Sequence, residues 1–142
     1  MAAILALAAC VSAPAGGRKP DAVRGCWLQR EGPQGKIWTT QRWRRDDGVW
    51  FANEIMTGPQ VEPISPNRAT SWELRRVAGG FRLCSFDAMF TPLECYAAFF
   101  GRGRAVGAPA AEFEVGDGRL RLWLVTAESR SVYFDGVRCG PD

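Results

Sequence analysis

The chain alternates along much of its length. Between Lys36 and Arg45, Ile37, Thr39, Gln41 and Trp43 fall on one side of a period of two. Trp38, Thr40, Arg42 and Arg44 fall on the other. Strict alternation of β-branched and aromatic residues with polar ones predicts a half-buried strand, not a helix. Asp46-Asp47-Gly48 is a hairpin signal, and Val49–Met56 is the return strand. Further on, Trp72, Leu74 and Arg76 alternate with Ser71, Glu73 and Arg75 inside the strand Arg68–Ala78. Gly79-Gly80 turns it into Phe81–Asp87, and residues 88–92 turn again into Leu93–Phe100. A loop over 101–109, read as mobile, precedes Ala110–Val115, Arg119–Ala127 and Ser131–Cys139. With Gly25–Glu31 in front, the reading contains about nine strands, a proline-bearing loop at 57–67, and no helical period beyond a short turn near Asp21–Arg24.

Strands linked mostly by tight turns predict an all-β antiparallel meander. An open meander has two unpaired edges, and closing it removes both. The expected fold is therefore a small barrel of 8–9 strands, with a β-sandwich as the alternative.

Leu7-Ala8-Ala9-Cys10, at the end of the apolar run Ala2–Ala9, resembles the lipobox of bacterial lipoproteins. The resemblance implies a signal peptide over 1–9, a lipid on Cys10, and the membrane as a partner through that lipid. Val11 stands where an aspartate would retain such a protein in the inner membrane, which implies the periplasmic side of the outer membrane. Residues 10–24, with Ser12-Ala13-Pro14-Ala15-Gly16-Gly17, then form a flexible linker, and 25–142 form the barrel domain. Setting Cys10 aside leaves Cys26, Cys84, Cys95 and Cys139. An even number of cysteines suits disulfides in an oxidising compartment, and their wide spacing fits no zinc pattern.

Gly25-Cys26-Trp27 resembles the Gly-x-Trp of the lipocalins, small barrels in which an arginine of the last strand packs across that tryptophan. The resemblance implies Arg138 in this role and a lipocalin-like barrel. An antiparallel pairing that sets Trp27 opposite Arg138 also sets Cys26 opposite Cys139, so one register would serve both a stack and a bridge. Cys84 and Cys95 fall on the two arms of a single hairpin, either bridged or both free and buried.

Composition mainly excludes. Arginine supplies 16 of the 18 basic residues and the net charge is +3, but Arg42, Arg44 and Arg45 run straight into Asp46 and Asp47. No sustained basic face is present, so nucleic acid is not an expected partner. There is no histidine, which removes the commonest general base and metal ligand. Glu54, Glu62, Glu73, Asp87, Glu94, Glu112 and Glu114 mostly fall where alternation exposes a solvated face; two of them facing inward in an open cleft, or a buried Arg–Glu pair, would point instead to an unrecognised hydrolase. Gly101-Arg102-Gly103-Arg104 lacks the lysine and the helix of a phosphate loop. No catalytic residue, metal or cofactor is expected. Trp38, Trp43, Trp50, Trp72 and Trp123 remain as candidate contacts, either lining a hollow barrel or filling a solid one. The expectation is a non-enzymatic envelope lipoprotein that binds a small hydrophobic molecule or an envelope protein. The alternative is an inhibitor or assembly factor acting on another periplasmic protein through the loops 57–67 and 101–109. A solid core with an exposed apolar loop patch would favour that alternative.

Overall fold

Nine strands close into one barrel in the computed structural model, which describes residues 20–31, 35–59 and 68–140. The expected signal segment, Cys10, Glu62 and most of the proline-bearing loop lie outside these residues. The strands are β1 (Gly25–Glu31), β2 (Ile37–Asp46), β3 (Val49–Thr57), β4 (Ser71–Val77), β5 (Gly80–Phe86), β6 (Pro92–Phe100), β7 (Ala110–Gly116), β8 (Arg119–Val125) and β9 (Arg130–Arg138). Neighbours in sequence are neighbours in the barrel, and β9 closes on β1. The first hairpin turns as its residues dictate. Asp47 (φ 46°) and Gly48 (φ 75°) are both left-handed, as the turn that matches strand twist requires.

One junction corrects the expected all-antiparallel order. β6 and β7 run parallel, with Ala97 opposite Ala110 and Phe100 opposite Phe113. β7 begins beside Ala97, so the chain has to come back only about 10 Å from the end of β6. The loop 101–109 reaches about 30 Å when extended, more than enough for that return. A parallel neighbour is cheap here because the two strands are staggered.

The seam has the register that the paired positions implied. Trp27 lies opposite Arg138 and Leu28 opposite Val137. Cys26 and Cys139 form a disulfide with Cα atoms 5.0 Å apart, and the Cys139 amide donates to the Cys26 carbonyl at 2.9 Å. The Arg138 guanidinium sits 4.4 Å from the centre of the Trp27 ring.

Period two fills the interior. Trp27, Trp43, Trp50, Trp72, Leu74, Leu83, Phe113, Leu120, Leu122 and Phe134 are buried and pack into one cluster. Trp43 meets Phe113 edge-on at 5.7 Å, and Phe100 stacks on Phe113 at 5.3 Å. The middle of the barrel is solid. A short 3-10 turn, Pro20–Val23, lies across the end where β1 starts, called proximal here. Val23 is fully buried there, and its carbonyl accepts the Trp27 indole N–H at 2.7 Å.

Outside the barrel, the loop 101–109 is tied to the wall at Gly103 and Ala105. Glu112 points outward from β7 yet is fully buried, because the loop crosses it. The Ala105 amide donates to it at 2.7 Å, and Arg130 grips its other oxygen through Nε at 2.8 Å. Burial pushes this carboxyl up, but the amides of Ala105 and Gly103 and the Arg130 guanidinium outweigh burial and hold it below its ordinary 4.5. A depressed folded value means the stabilisation is full above the unfolded value and is lost as pH falls through the folded one. Hydrogen exchange at Gly103 and Ala105 is therefore expected to accelerate, relative to β7, as pH drops below about 4.5. Unchanged relative protection down to pH 3 would contradict this.

Candidate interaction surface

The carboxylates did not all stay on the solvated face. Glu54 shares its face of β3 with Trp50 and Ala52, so it points inward and is buried. Its Oε2 accepts from Gln41 Nε2 at 2.8 Å and Trp72 Nε1 at 2.9 Å. Its Oε1 accepts from the Tyr133 hydroxyl at 2.8 Å and lies 3.8 Å from Arg68. Burial first, and the neighbouring Glu54 charge second, push the Tyr133 hydroxyl far up. Tyr133 reaches this point because β9 slips register between Leu122 and Trp123 of its partner, which lets Tyr133 and Phe134 both turn inward. Glu54 therefore ties β2, β3, β4 and β9 together. Beside it, at the distal end, a cavity of about 360 Å³ is lined by Gln29, Glu31, Thr39, Glu54, Arg68 and Tyr133 among others. Among the described residues, no three His, Cys, Asp or Glu are grouped to hold a metal.

The five candidate tryptophans separate into two sets. Trp43, Trp50 and Trp72 are buried inside, and each indole N–H already has a partner: Gln41 at 3.0 Å, Asp21 at 2.9 Å and Glu54 at 2.9 Å. Trp38 and Trp123 lie half-buried on the outer wall. Trp123 carries Arg102 and Arg130 over its ring, 4.8 and 4.7 Å from the centre. No single surface collects all five.

What stands out is the β5–β6 hairpin. Because β7 begins beside Ala97, Pro92–Tyr96 have ladder partners only on the β5 side among the described residues. The hairpin therefore overhangs the barrel wall at the distal end. Cys84 and Cys95 face each other across it and are bonded, with Cα atoms 4.1 Å apart. Of the two readings for this pair, the bridged one holds. Beyond the bridge, Asp87 organises the tip: its Oδ1 accepts from the amides of Met89 and Thr91, both at 2.9 Å. Its carbonyl accepts from Phe90 at 3.0 Å. Phe90 has φ 58°, a left-handed conformation that costs a bulky residue about 1–3 kcal/mol. On this braced tip Met89 is 83% exposed and Phe90 76%. Leu93 follows on the overhanging strand, and an outer groove of about 520 Å³ with Phe51, Phe86 and Phe90 in its lining runs alongside.

Sequence reasoning passed over this tip as a plain turn. The signal was present: two large apolar residues between Asp87 and Pro92, flanked by a cysteine on each arm. Of the two loops expected to make contacts, 101–109 is tied to the wall through Ala105 and leaves Val106 exposed, and 60–67 of the other lie outside the described residues. No protein-family model, curated protein or solved structure matches this chain.

Proposed function

We propose that the protein is a non-enzymatic envelope lipoprotein, anchored through Cys10, that binds another envelope protein by inserting the β5–β6 tip into an apolar pocket. This is the inhibitor or assembly-factor reading, moved to a different loop. The observation that carries it is the exposure of Met89 and Phe90 on a tip that a disulfide and Asp87 hold in one shape. Burying two such side chains gains about 1.5–3 kcal/mol each. A tip already fixed in shape loses little entropy on docking, so more of that gain survives as affinity. The solid middle of the barrel supports this reading over carriage of a hydrophobic molecule. The two disulfides support an oxidising compartment, in keeping with the lipobox resemblance. The chain enters at the proximal end and the tip lies at the distal one. An N-terminal tether would therefore present the tip away from the membrane.

A photo-crosslinking side chain placed at position 90 in the native cell is expected to give one discrete protein adduct. The same group at position 117, in the proximal β7–β8 turn, is expected to give none. Replacing Cys84 and Cys95 by alanine should weaken the adduct at 90. Adducts of equal yield at both positions, or none at 90, would refute the reading.

A further inference from the structure

The proximal end has its own cavity, independent of the tip. The 3-10 turn covers only part of that opening. Between it and the ends of β3 to β6 lies a space of about 660 Å³, lined by Pro20, Asp21, Arg45, Trp50, Arg76, Phe81, Phe100 and Arg104 among others. Its floor is the interior aromatic stack: Phe81 meets Trp50 at 6.3 Å and Phe100 at 5.3 Å, both edge-on. Its rim carries three arginines and one acid. Arg45 reaches Asp21 at 3.5 Å, an ion pair about half exposed on both sides. Arg76 and Arg104 have no acidic partner among the described residues.

The three arginines are exposed, but each lies against the cavity's own residues. Arg45 lies 4.8 Å from the Trp50 ring centre and Arg76 5.0 Å from that of Phe81. Arg104 folds back across Gly101, so close that a Cβ there would meet its Nε at 2.9 Å. A guanidinium held over a ring still has N–H donors to offer an oxyanion. Like charges gathered at a low-dielectric wall repel one another, and an anion between them relieves that repulsion.

We propose that this cavity binds a small amphiphilic anion. Arg45, Arg76 and Arg104 would hold its phosphate or carboxylate, and its aromatic or short apolar body would rest on Phe81 and Phe100. Such a head occurs both on free small molecules and on membrane lipids, and the experiment separates the two. Phenyl phosphate is titrated into the protein while tryptophan fluorescence is followed, since Trp50 lines the site. In parallel, the Cys10→Ser chain, which lacks the residue of the proposed lipid anchor, is floated with vesicles of phosphatidylglycerol or of phosphatidylcholine.

Saturable binding of phenyl phosphate is expected, weakened at least about tenfold in Arg76→Gln/Arg104→Gln, because each lost charge-assisted bond is worth that much or more. Arg119→Gln, at an arginine paired with Asp135 on the outer wall, should leave it unchanged. Phosphatidylglycerol flotation that the double variant loses would assign the site to lipid. Binding of phenyl phosphate without flotation would assign it to a soluble anion. The proposal is overturned if neither probe binds, or if Arg119→Gln weakens binding as much as the double variant while near-ultraviolet circular dichroism shows both folded.

Discussion

Replacing both Cys26 and Cys139 by alanine is expected to lower the unfolding free energy by about 5 kcal/mol. In the chain-entropy account a disulfide stabilises by restricting the unfolded chain, more so for longer loops. Here 113 residues of sequence separate the two cysteines, so nearly the whole domain lies inside the loop. Whole domains are stable by about 5–15 kcal/mol, so the loss is a third or more of the total. Beside the bridge, the seam is held by the Arg138–Trp27 stack and the Cys139 amide on the Cys26 carbonyl. Its ladder consists of Trp27 with Arg138 and Leu28 with Val137, helped by the Asp135 amide bonding to Gln29 at 2.6 Å. Opening should begin there, with β1 and β9 losing amide protection first. The bridge between Cys84 and Cys95 spans only 11 residues, and its removal should cost about 3 kcal/mol. Urea denaturation of the two double variants checks both values. A loss below about 1 kcal/mol at the seam would mean that the Trp27–Arg138 stack and its neighbours close the barrel unaided.

Glu54→Ala is expected to cost about 3–5 kcal/mol, although it removes no hydrophobic surface. The reason is what it leaves behind. Gln41, Trp72 and Tyr133 each point a donor at the vacated place, and Arg68 loses its acid. Deleting one member of a buried charged network strands the others, which costs more than the network was worth intact. Glu54→Gln keeps the shape and one acceptor oxygen, so its cost should be smaller, about 1–3 kcal/mol. Equilibrium unfolding gives both values. An alanine variant within about 1 kcal/mol of the parent would show that water satisfies those donors.

The nine strands were readable because alternation and turn residues carry most of what a meander needs. Ile37–Asp46 and Val49–Thr57 match their expected bounds closely, and Asp47-Gly48 sits where the hairpin turns. The seam register followed from the chain positions of Cys26, Trp27, Arg138 and Cys139. The parallel step at β6–β7 was not readable. Alternation says which residues share a face, but not which way the next strand runs. The fate of Glu112 depended on the same step, since only the returning loop buries an outward side chain. Glu54 was misassigned for another reason: as a carboxylate it read as solvated, although Trp50 and Ala52 on its own face of β3 argued for the inside. The tip was missed because turn position usually means solvent and little else. Met89 and Phe90 gain meaning only once β7 is seen to start late and leave their hairpin overhanging.

The bridge across that hairpin has a consequence for proteolysis. The bond between Met89 and Phe90 lies on an exposed loop tip, the part of a fold where nicking concentrates. Cutting it would make two chain segments, but Cys84–Cys95 and Cys26–Cys139 both join residues on opposite sides of the cut. The nicked protein would keep both fragments in place and would run as one species until reduced. A peptidase that accepted this tip would not be rid of its product.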